Sequence, residues 1–241
     1  MAEQGRRVLV TGGSSGIGLA IARAFDDAGD EVRVAGRDRA KLEASGLGWL
    51  QLDVCDEAAI DATLAGQPFD IVIANAGGAA TAPLVKMARA DWDRMIALNL
   101  TSAWLTARAT VPGMIERGRG RFIAVGSTAS VKGYAYAGAY AAAKHGMLGM
   151  IRSLALELAK TGVTANAICP GYTDTPMLRA AMEGVAAKTG RSDVEASFAN
   201  ANPMGRLIAP DEVAAAALWL ASGAAAGING QAILIDGGES A

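Results

Sequence analysis

Short runs of Val, Ile and Leu recur along the chain, and between them lie longer stretches with apolar residues at helical spacing. Val8–Thr11, Val32–Ala35, Trp49–Leu52, Phe69–Ala74, Arg121–Val125, Val163–Ile168 and Ala232–Ile235 read as strands. Within these runs the apolar residues are consecutive and do not alternate with polar ones, the pattern of strands covered on both faces. Helices are predicted over Gly16–Ala28, Arg39–Ala44, Ala58–Leu64, Asp91–Arg117, Ala139–Lys160 and Pro210–Ala221. Gly29 supplies a stop for the first, and Pro210 followed by Asp211 and Glu212 a start for the last. Strands buried on both faces are usually parallel, and parallel strands need crossovers, which the intervening helices provide.

The fold expected is α/β: a single doubly wound Rossmann-like domain, with a seven-stranded parallel sheet and helices on both faces. No linker, repeat or low-complexity boundary interrupts the 241 residues, so residues 1–241 are read as one dinucleotide-binding and catalytic domain. Residues 176–203 lack a strand pattern and are a candidate lid over a ligand crevice. The stretch Met1–Arg7 leads into the first strand without an apolar signal segment.

Composition narrows the partners. Hydrophobic residues make up 51 % and charged residues 19 %, enough for a core and without a sign of disorder. The net charge is −2 and no basic stripe is visible, so nucleic acid is not expected as a partner. No run approaches the ~20 apolar residues of a membrane span. Cys55 and Cys169 sit in apolar, strand-like contexts and read as buried free thiols, consistent with a cytoplasmic protein. His145 is the sole histidine and neighbours Lys144, so it faces elsewhere on the helix and reads as structural. With no cysteine cluster either, no metal site is expected.

After the first strand comes Thr11-Gly12-Gly13-Ser14-Ser15-Gly16-Ile17-Gly18. Gly12 permits a tight exit from the strand, Gly16 lets backbone approach a pyrophosphate, and Gly18 lets the helix pack closely. The helix N-terminus then offers free N–H groups to phosphate. The spacing is not that of a P-loop, which would close on Gly-Lys-Ser/Thr. A glycine-rich turn alone also suits a site without a ligand.

Tyr140 and Lys144 are four residues apart on a predicted helix and share a face. An ammonium beside a phenol lowers the phenol's pKa from about 10. A phenol so tuned can give a proton to a carbonyl oxygen or take one from an alcohol. Ser127 follows the fifth strand at its carboxyl end, where its hydroxyl can orient a substrate oxygen. Taken singly, these are an ordinary helix pair and a cap, and Asn99 is a polar residue in mid-helix.

Taken together with Asn75-Ala76-Gly77 and Pro170-Gly171, these motifs fall in the order and spacing of the short-chain dehydrogenase/reductase family. The chain resembles that family over essentially its whole length, through Asp236-Gly237-Gly238. The resemblance implies an oxidoreductase that moves a hydride between a nicotinamide cofactor and a carbonyl/secondary alcohol pair. Tyr140 would transfer the proton, Ser127 hold the substrate oxygen, and Lys144 also hold the nicotinamide ribose. Asn99 would hold a water that links Lys144 to solvent.

The resemblance also assigns the cofactor. Gly12, Ser14, Ser15, Gly16, Ile17 and Gly18 would meet the pyrophosphate, and Asp53 and Val54 the adenine. Asn75, Ala76 and Gly77 allow close approach, and Pro170, Gly171, Thr173 and Thr175 would meet the nicotinamide amide and the pyrophosphate. Thr173 departs from the aliphatic residue common there. The second strand ends on Gly36-Arg37 where NAD-preferring relatives carry an acid. A guanidinium suits a 2′-phosphate, so NADP(H) is favoured and NAD(H) is the alternative, with Asp38 complicating the choice.

Within the family the pattern is similar to 3-oxoacyl-thioester reductases and 3-hydroxybutyrate-type dehydrogenases. A 3-oxoacyl/3-hydroxyacyl thioester or related small hydroxy compound is the leading small-molecule substrate class. Simple ketones, secondary alcohols, sugars and hydroxysteroids are the alternatives, and a non-catalytic NADP(H)-sensing protein is a rival of another kind. Residues for the substrate are sought in Thr128–Tyr136, Tyr172 and the 176–203 segment, with Tyr134, Tyr136, Met177, Leu178, Met182 and Phe198 as candidate walls. The two long helices, Asp91–Arg117 and Ala139–Lys160, imply a homotetramer, with a dimer second.

Overall fold

A computed structural model describes residues 5–241; of the lead into the first strand, Met1 to Gln4 lie outside the described residues. Strands and helices alternate as β1 (Arg7–Thr11), α1 (Gly16–Asp27), β2 (Glu31–Gly36), α2 (Arg39–Ala44), β3 (Gly48–Gln51), α3 (Glu57–Leu64) and β4 (Ile71–Ala74). They continue as α4 (Arg89–Ile96), α5 (Ser102–Glu116), β5 (Gly120–Val125), α6 (Gly138–Leu158) and β6 (Val163–Pro170). The last elements are α7 (Pro176–Thr189), α8 (Val194–Ala199), α9 (Pro210–Ala221) and β7 (Ala232–Ile235).

The seven strands form one sheet in the order β3-β2-β1-β4-β5-β6-β7, every neighbouring pair parallel. From β1 the chain moves outward to β2 and β3, then returns to β1's other side as β4. The loops leaving β1 and β4 therefore diverge, and a crevice opens at the carboxyl edge between them. Successive residues of β1 feed opposite layers. Val8 and Val10 pack with Ile21, Phe25 and Leu220, whereas Leu9 packs with Phe122, Met147 and Ile151. Helix α1 lies on α9 on the first face, and α3 lies on α5 on the second. Each such fully buried side chain contributes roughly 1.5–3 kcal/mol over exposure, which holds the strand ends that carry the crevice.

Three expectations need correction. The helix read over Asp91–Arg117 is interrupted: a π turn at Ala97–Thr101 separates α4 from α5. Apolar spacing runs through it, so the pattern alone does not show it. Within this turn the Asn99 amide bonds out of the helix to Gly78 as well as to the Met95 carbonyl. Cys55 is exposed, because β3 ends at Gln51 and Cys55 lies in the turn that follows, its N–H donating to Asp53 Oδ1 at 2.9 Å; Cys169 is buried as expected. Burial on both faces fails in β2, where Glu31 and Arg33 are exposed, and in the edge strand β7. The 176–203 segment contains the helices α7 and α8. Thr175 caps α7 by accepting the Leu178 N–H, and Gly190 in the left-handed region ends it. Among the described residues no helix is long and apolar enough to cross a membrane.

Candidate active site

The carboxyl ends of β1 and β4 are stitched together. Thr11 Oγ1 accepts the N–H groups of Asn75 and Ala76, both at 3.1 Å, while Asn75 Nδ2 donates to the carbonyls of Thr11 and Gly12 at 3.0 and 3.1 Å. The glycines of the turn fit this contact. A Cβ on Gly18 would fall 2.4 Å from both Asn75 Nδ2 and the Gly12 carbonyl oxygen. Gly12 and Gly16 take left-handed φ of 64° and 53°. Ser15 occupies the N-cap of α1 without a side-chain capping bond, so first-turn N–H groups remain free for an anion.

A cleft of about 340 Å³ runs along this edge. Gly12, Ser14, Ser15, Gly16, Ile17 and Gly18 line it, together with Arg37, Asp53, Val54, Asn75, Ala76, Gly77, Asn99, Tyr140, Lys144 and Thr175. The structure thus brings most of the sequence-derived set to one surface. The fit to a dinucleotide rests on the uncapped helix start at the turn and on a floor where side chains are excluded. A Cβ on Gly77 would meet Asn99 Oδ1 at 2.8 Å and Lys144 Nζ at 3.6 Å.

Asn99 and Lys144 line the cleft beside Tyr140, and Ser127 meets Tyr140 from outside that lining. Asn99 is buried; its Oδ1 accepts the Gly78 N–H at 3.1 Å and its Nδ2 donates to the carbonyls of Gly78 and Met95 at 2.9 and 3.1 Å. Lys144 is buried and donates to the Val125 carbonyl at 2.8 Å, and burial lowers its pKa to about 8. Ser127 caps a short turn over Thr128–Ser130, its Oγ accepting the Ala129 N–H at 3.1 Å. That leaves the hydroxyl proton for another partner.

The phenol departs from expectation. Desolvation raises the Tyr140 pKa, and interaction with the Ser127 hydroxyl pulls it back. Lys144 is not among the groups that act on it; Nζ lies 5.7 Å from the Tyr140 ring centroid and is engaged with Val125. From protein groups alone, desolvation outweighs the ammonium that the helical spacing places nearby.

Pro170, Gly171, Thr173 and Ser127 do not line the cleft itself. Thr173 is buried, its hydroxyl donating to the Gly171 carbonyl at 3.0 Å, and the space over Gly171 is taken by Glu239 Oε2. Sequence reasoning missed Lys41, Gly78 and Leu98, which line it. For Lys41 a signal existed: a second cation one turn beyond Arg37. Asp38 caps α2, accepting the Lys41 N–H at 3.2 Å, and its carboxylate faces Lys41 Nζ at 3.8 Å. His145 is exposed on α6, its Nδ1 bonded to the Ala141 carbonyl.

A helix start with free N–H groups lines the same cleft as a desolvated phenol and a buried amine, an arrangement that suits an oxidoreductase working with a bound nucleotide. A family model described as enoyl-(acyl carrier protein) reductase matches residues 12–240. D-beta-hydroxybutyrate dehydrogenase of Cupriavidus necator is 39% identical over 97% of this chain and 97% of its own. The 3-oxoacyl-(acyl-carrier-protein) reductase MabA of Mycobacterium bovis is 37% identical, over 97% and 92%. Among solved structures, an oxidoreductase of the short-chain dehydrogenase/reductase family from Burkholderia thailandensis superimposes with a TM-score of 0.89 at 36% identity, covering 98% of this chain and 93% of the other. A variant of actinorhodin polyketide ketoreductase with NADPH superimposes with a TM-score of 0.92 at 33% identity, covering 99% of each. The chain belongs to the short-chain dehydrogenase/reductase family. It is an oxidoreductase of CH–OH groups that uses a nicotinamide cofactor.

Proposed function

We propose that the protein interconverts 3-oxoacyl and 3-hydroxyacyl thioesters with NADP(H), and that Tyr140 moves the proton. One observation carries this reading: the desolvated Tyr140 phenol, beside the Ser127 hydroxyl, shares a cleft with the glycine turn. The bound nicotinamide supplies or accepts the hydride. Ser127 would turn its hydroxyl proton from Tyr140 to the substrate oxygen and orient it. Tyr140 passes its proton to the same oxygen in reduction and takes it back in oxidation. Lys144 would hold the nicotinamide ribose, its amine kept in place by the Val125 carbonyl. Asn99 keeps the Gly78 loop in place beside Lys144, in support of a water path to solvent. Two donors gathered for one oxygen favour a carbonyl over the carbon–carbon double bond of an enoyl compound.

Arg37 and Lys41 line the end of the cleft near Ser14, and this pair of cations supports a 2′-phosphate and hence NADP(H). Gly12, Ser14, Ser15, Gly16, Ile17, Gly18 and Thr175 would hold the pyrophosphate, Asp53 and Val54 the adenine, and Asn75 to Gly77 the inner ribose. Pro170, Gly171 and Thr173 would act through the backbone of their loop. Helices α7 and α8 serve as a lid, supported by Met177 on the cleft rim. The protein is assigned as a cytoplasmic homotetramer; two free cysteines accord with a reducing compartment.

The test is an assay of 3-oxoacyl thioesters, simple ketones and sugars with NADPH and NADH, alongside Tyr140→Phe. Thioesters with NADPH should give the highest kcat/KM. The variant should lose roughly 10²–10⁴-fold in turnover while binding dinucleotide as before. Turnover by Tyr140→Phe at the wild-type rate would show that another group is the proton donor.

A further inference from the structure

The tail beyond β7 folds back over the carboxyl edge of the sheet. Asp236 accepts the N–H groups of Gly238 and Ser240, both at 3.0 Å. Gly237 and Gly238 take left-handed φ of 62° and 91°, and a Cβ on Gly237 would fall 2.1 Å from Asn202 Oδ1. This turn delivers Glu239 beneath the loop that follows Ser127.

The Glu239 side chain is only 5% exposed. Its Oε1 accepts the Tyr134 hydroxyl at 2.5 Å and pairs with Lys132 Nζ at 2.9 Å, and Lys132 donates again to the Glu239 carbonyl at 3.2 Å. The Tyr134 hydroxyl also meets Thr128 Oγ1 at 2.5 Å, one residue from Ser127. The Tyr134 ring stands edge-on to Tyr172 with centroids 6.2 Å apart, and Tyr172 stands edge-on to Phe198 at 4.8 Å. Oε2 is buried without a hydrogen-bond partner and fits because residue 171 is glycine, whose Cβ would lie 2.9 Å from it.

A carboxylate half-satisfied in the interior is costly, and a tail already turned by Asp236 needs no such anchor. What the carboxylate does hold is the loop between Ser127 and α6. None of Glu239, Tyr134 and Lys132 lines the dinucleotide cleft. We propose that Glu239 is a positioning residue for the substrate: through Tyr134 and Lys132 it fixes the 128–136 loop and the Tyr172 ring as one wall for the carbonyl-bearing chain. The proposal rests on the reading of this site as a carbonyl-reducing centre.

The experiment compares wild type with Glu239→Ala, Glu239→Gln, Tyr134→Phe and the double variant Glu239→Ala/Tyr134→Phe. KM and kcat are measured with whichever carbonyl compound the wild type reduces, and NADPH affinity by fluorescence titration. KM should rise about tenfold in Glu239→Ala and in Tyr134→Phe, the effect of losing one charge-assisted hydrogen bond. The dinucleotide Kd should stay within about twofold. The double variant should be no worse than Glu239→Ala alone, since both changes remove one link. Glu239→Gln keeps an acceptor for Tyr134 and should recover most of KM. Factors that multiply in the double variant, an unmoved KM, or a dinucleotide Kd that rises with KM would each overturn the proposal. If Glu239→Ala does not fold, a KM raised in Tyr134→Phe and near wild type in Glu239→Gln supports it, and wild-type KM in both overturns it. A wild-type protein that reduces no carbonyl compound overturns the reading of the site and this proposal with it; an active wild type with unmoved KM overturns this proposal alone.

Discussion

Lys144, proposed to hold the nicotinamide ribose, is buried at a cost to the fold. Burial holds its amine at about 8, below the ordinary 10.5. Below pH 8 the amine is protonated in folded and unfolded chains alike, and the folded protein bears the full desolvation penalty. Between 8 and 10.5 the folded state releases its proton first, so the unfolded state binds more protons and stability rises with pH. Above 10.5 the penalty is gone. The difference corresponds to about 3 kcal/mol at most. Lys144→Met should therefore be inactive yet more stable than wild type at pH 7, with the gap closing as pH approaches 10.5. Urea unfolding at several pH values checks this, and a gap that ignores pH would mean the amine is well solvated. At this scale the sequence was a good guide to which residues gather and a poor one to how they are tuned. The spacing of Tyr140 and Lys144 put them on one helical turn. It could not show that Nζ turns to the Val125 carbonyl, because that contact comes from β5, nineteen residues away. Glu239 carried no local signal at all, since its partners Lys132 and Tyr134 are over a hundred positions distant.

At the scale of elements, the junction of β1, α1 and β4 depends on missing side chains. Gly18 lies on the buried face of α1, and the atoms its Cβ would strike are the Gly12 carbonyl and the Asn75 amide. Both are fixed by the stitching of β1 to β4, so neither can yield cheaply. Gly18→Ala should cost about 1–3 kcal/mol, the usual penalty for overpacking, despite alanine's better helix propensity. Dinucleotide affinity should fall as well, because the α1 start would be pushed from the turn. Thermal unfolding with and without NADPH tests both effects, and an unchanged midpoint would show that the helix can shift freely. Most elements were legible, since hydrophobic runs and caps are local. The exception is the π turn over Ala97–Thr101. It carries the Asn99 amide bonded to Gly78, a tertiary contact that periodicity does not encode; such turns are frequent at functional sites. Cys55 was misplaced for a related reason: a strand predicted one residue too long at its end carried the neighbouring turn inward with it.

For the whole molecule, the remaining issue is what covers its exposed apolar residues. Leu156 on α6 is 81% exposed, and Trp104 on α5 is 46% exposed with the Arg108 guanidinium 5.2 Å from its ring centroid. Both helices turn their other faces to the sheet, so both residues point outward on that side. Trp219 on α9 and Leu234 on the edge strand β7 are also exposed. Scattered apolar residues are normal on a surface, but large ones on two separate sides suit association. Two self-complementary patches, each closed by a two-fold axis, generate a tetramer of four identical chains, whereas one alone stops at a dimer. If the face that carries Leu156 is one such contact, Leu156→Glu places a charge in it and leaves the face that carries Trp219 intact. It should halve the mass in sedimentation equilibrium, while Trp219→Glu should do the same through the other contact. Because Leu156 is so exposed in the single chain, its replacement should alter intrinsic folding stability by no more than about 0.5 kcal/mol. Any larger loss of thermal stability would then report the lost neighbour. A wild-type protein that sediments as a monomer would exclude both contacts, and a variant that remains a tetramer would move the contact away from α5 and α6.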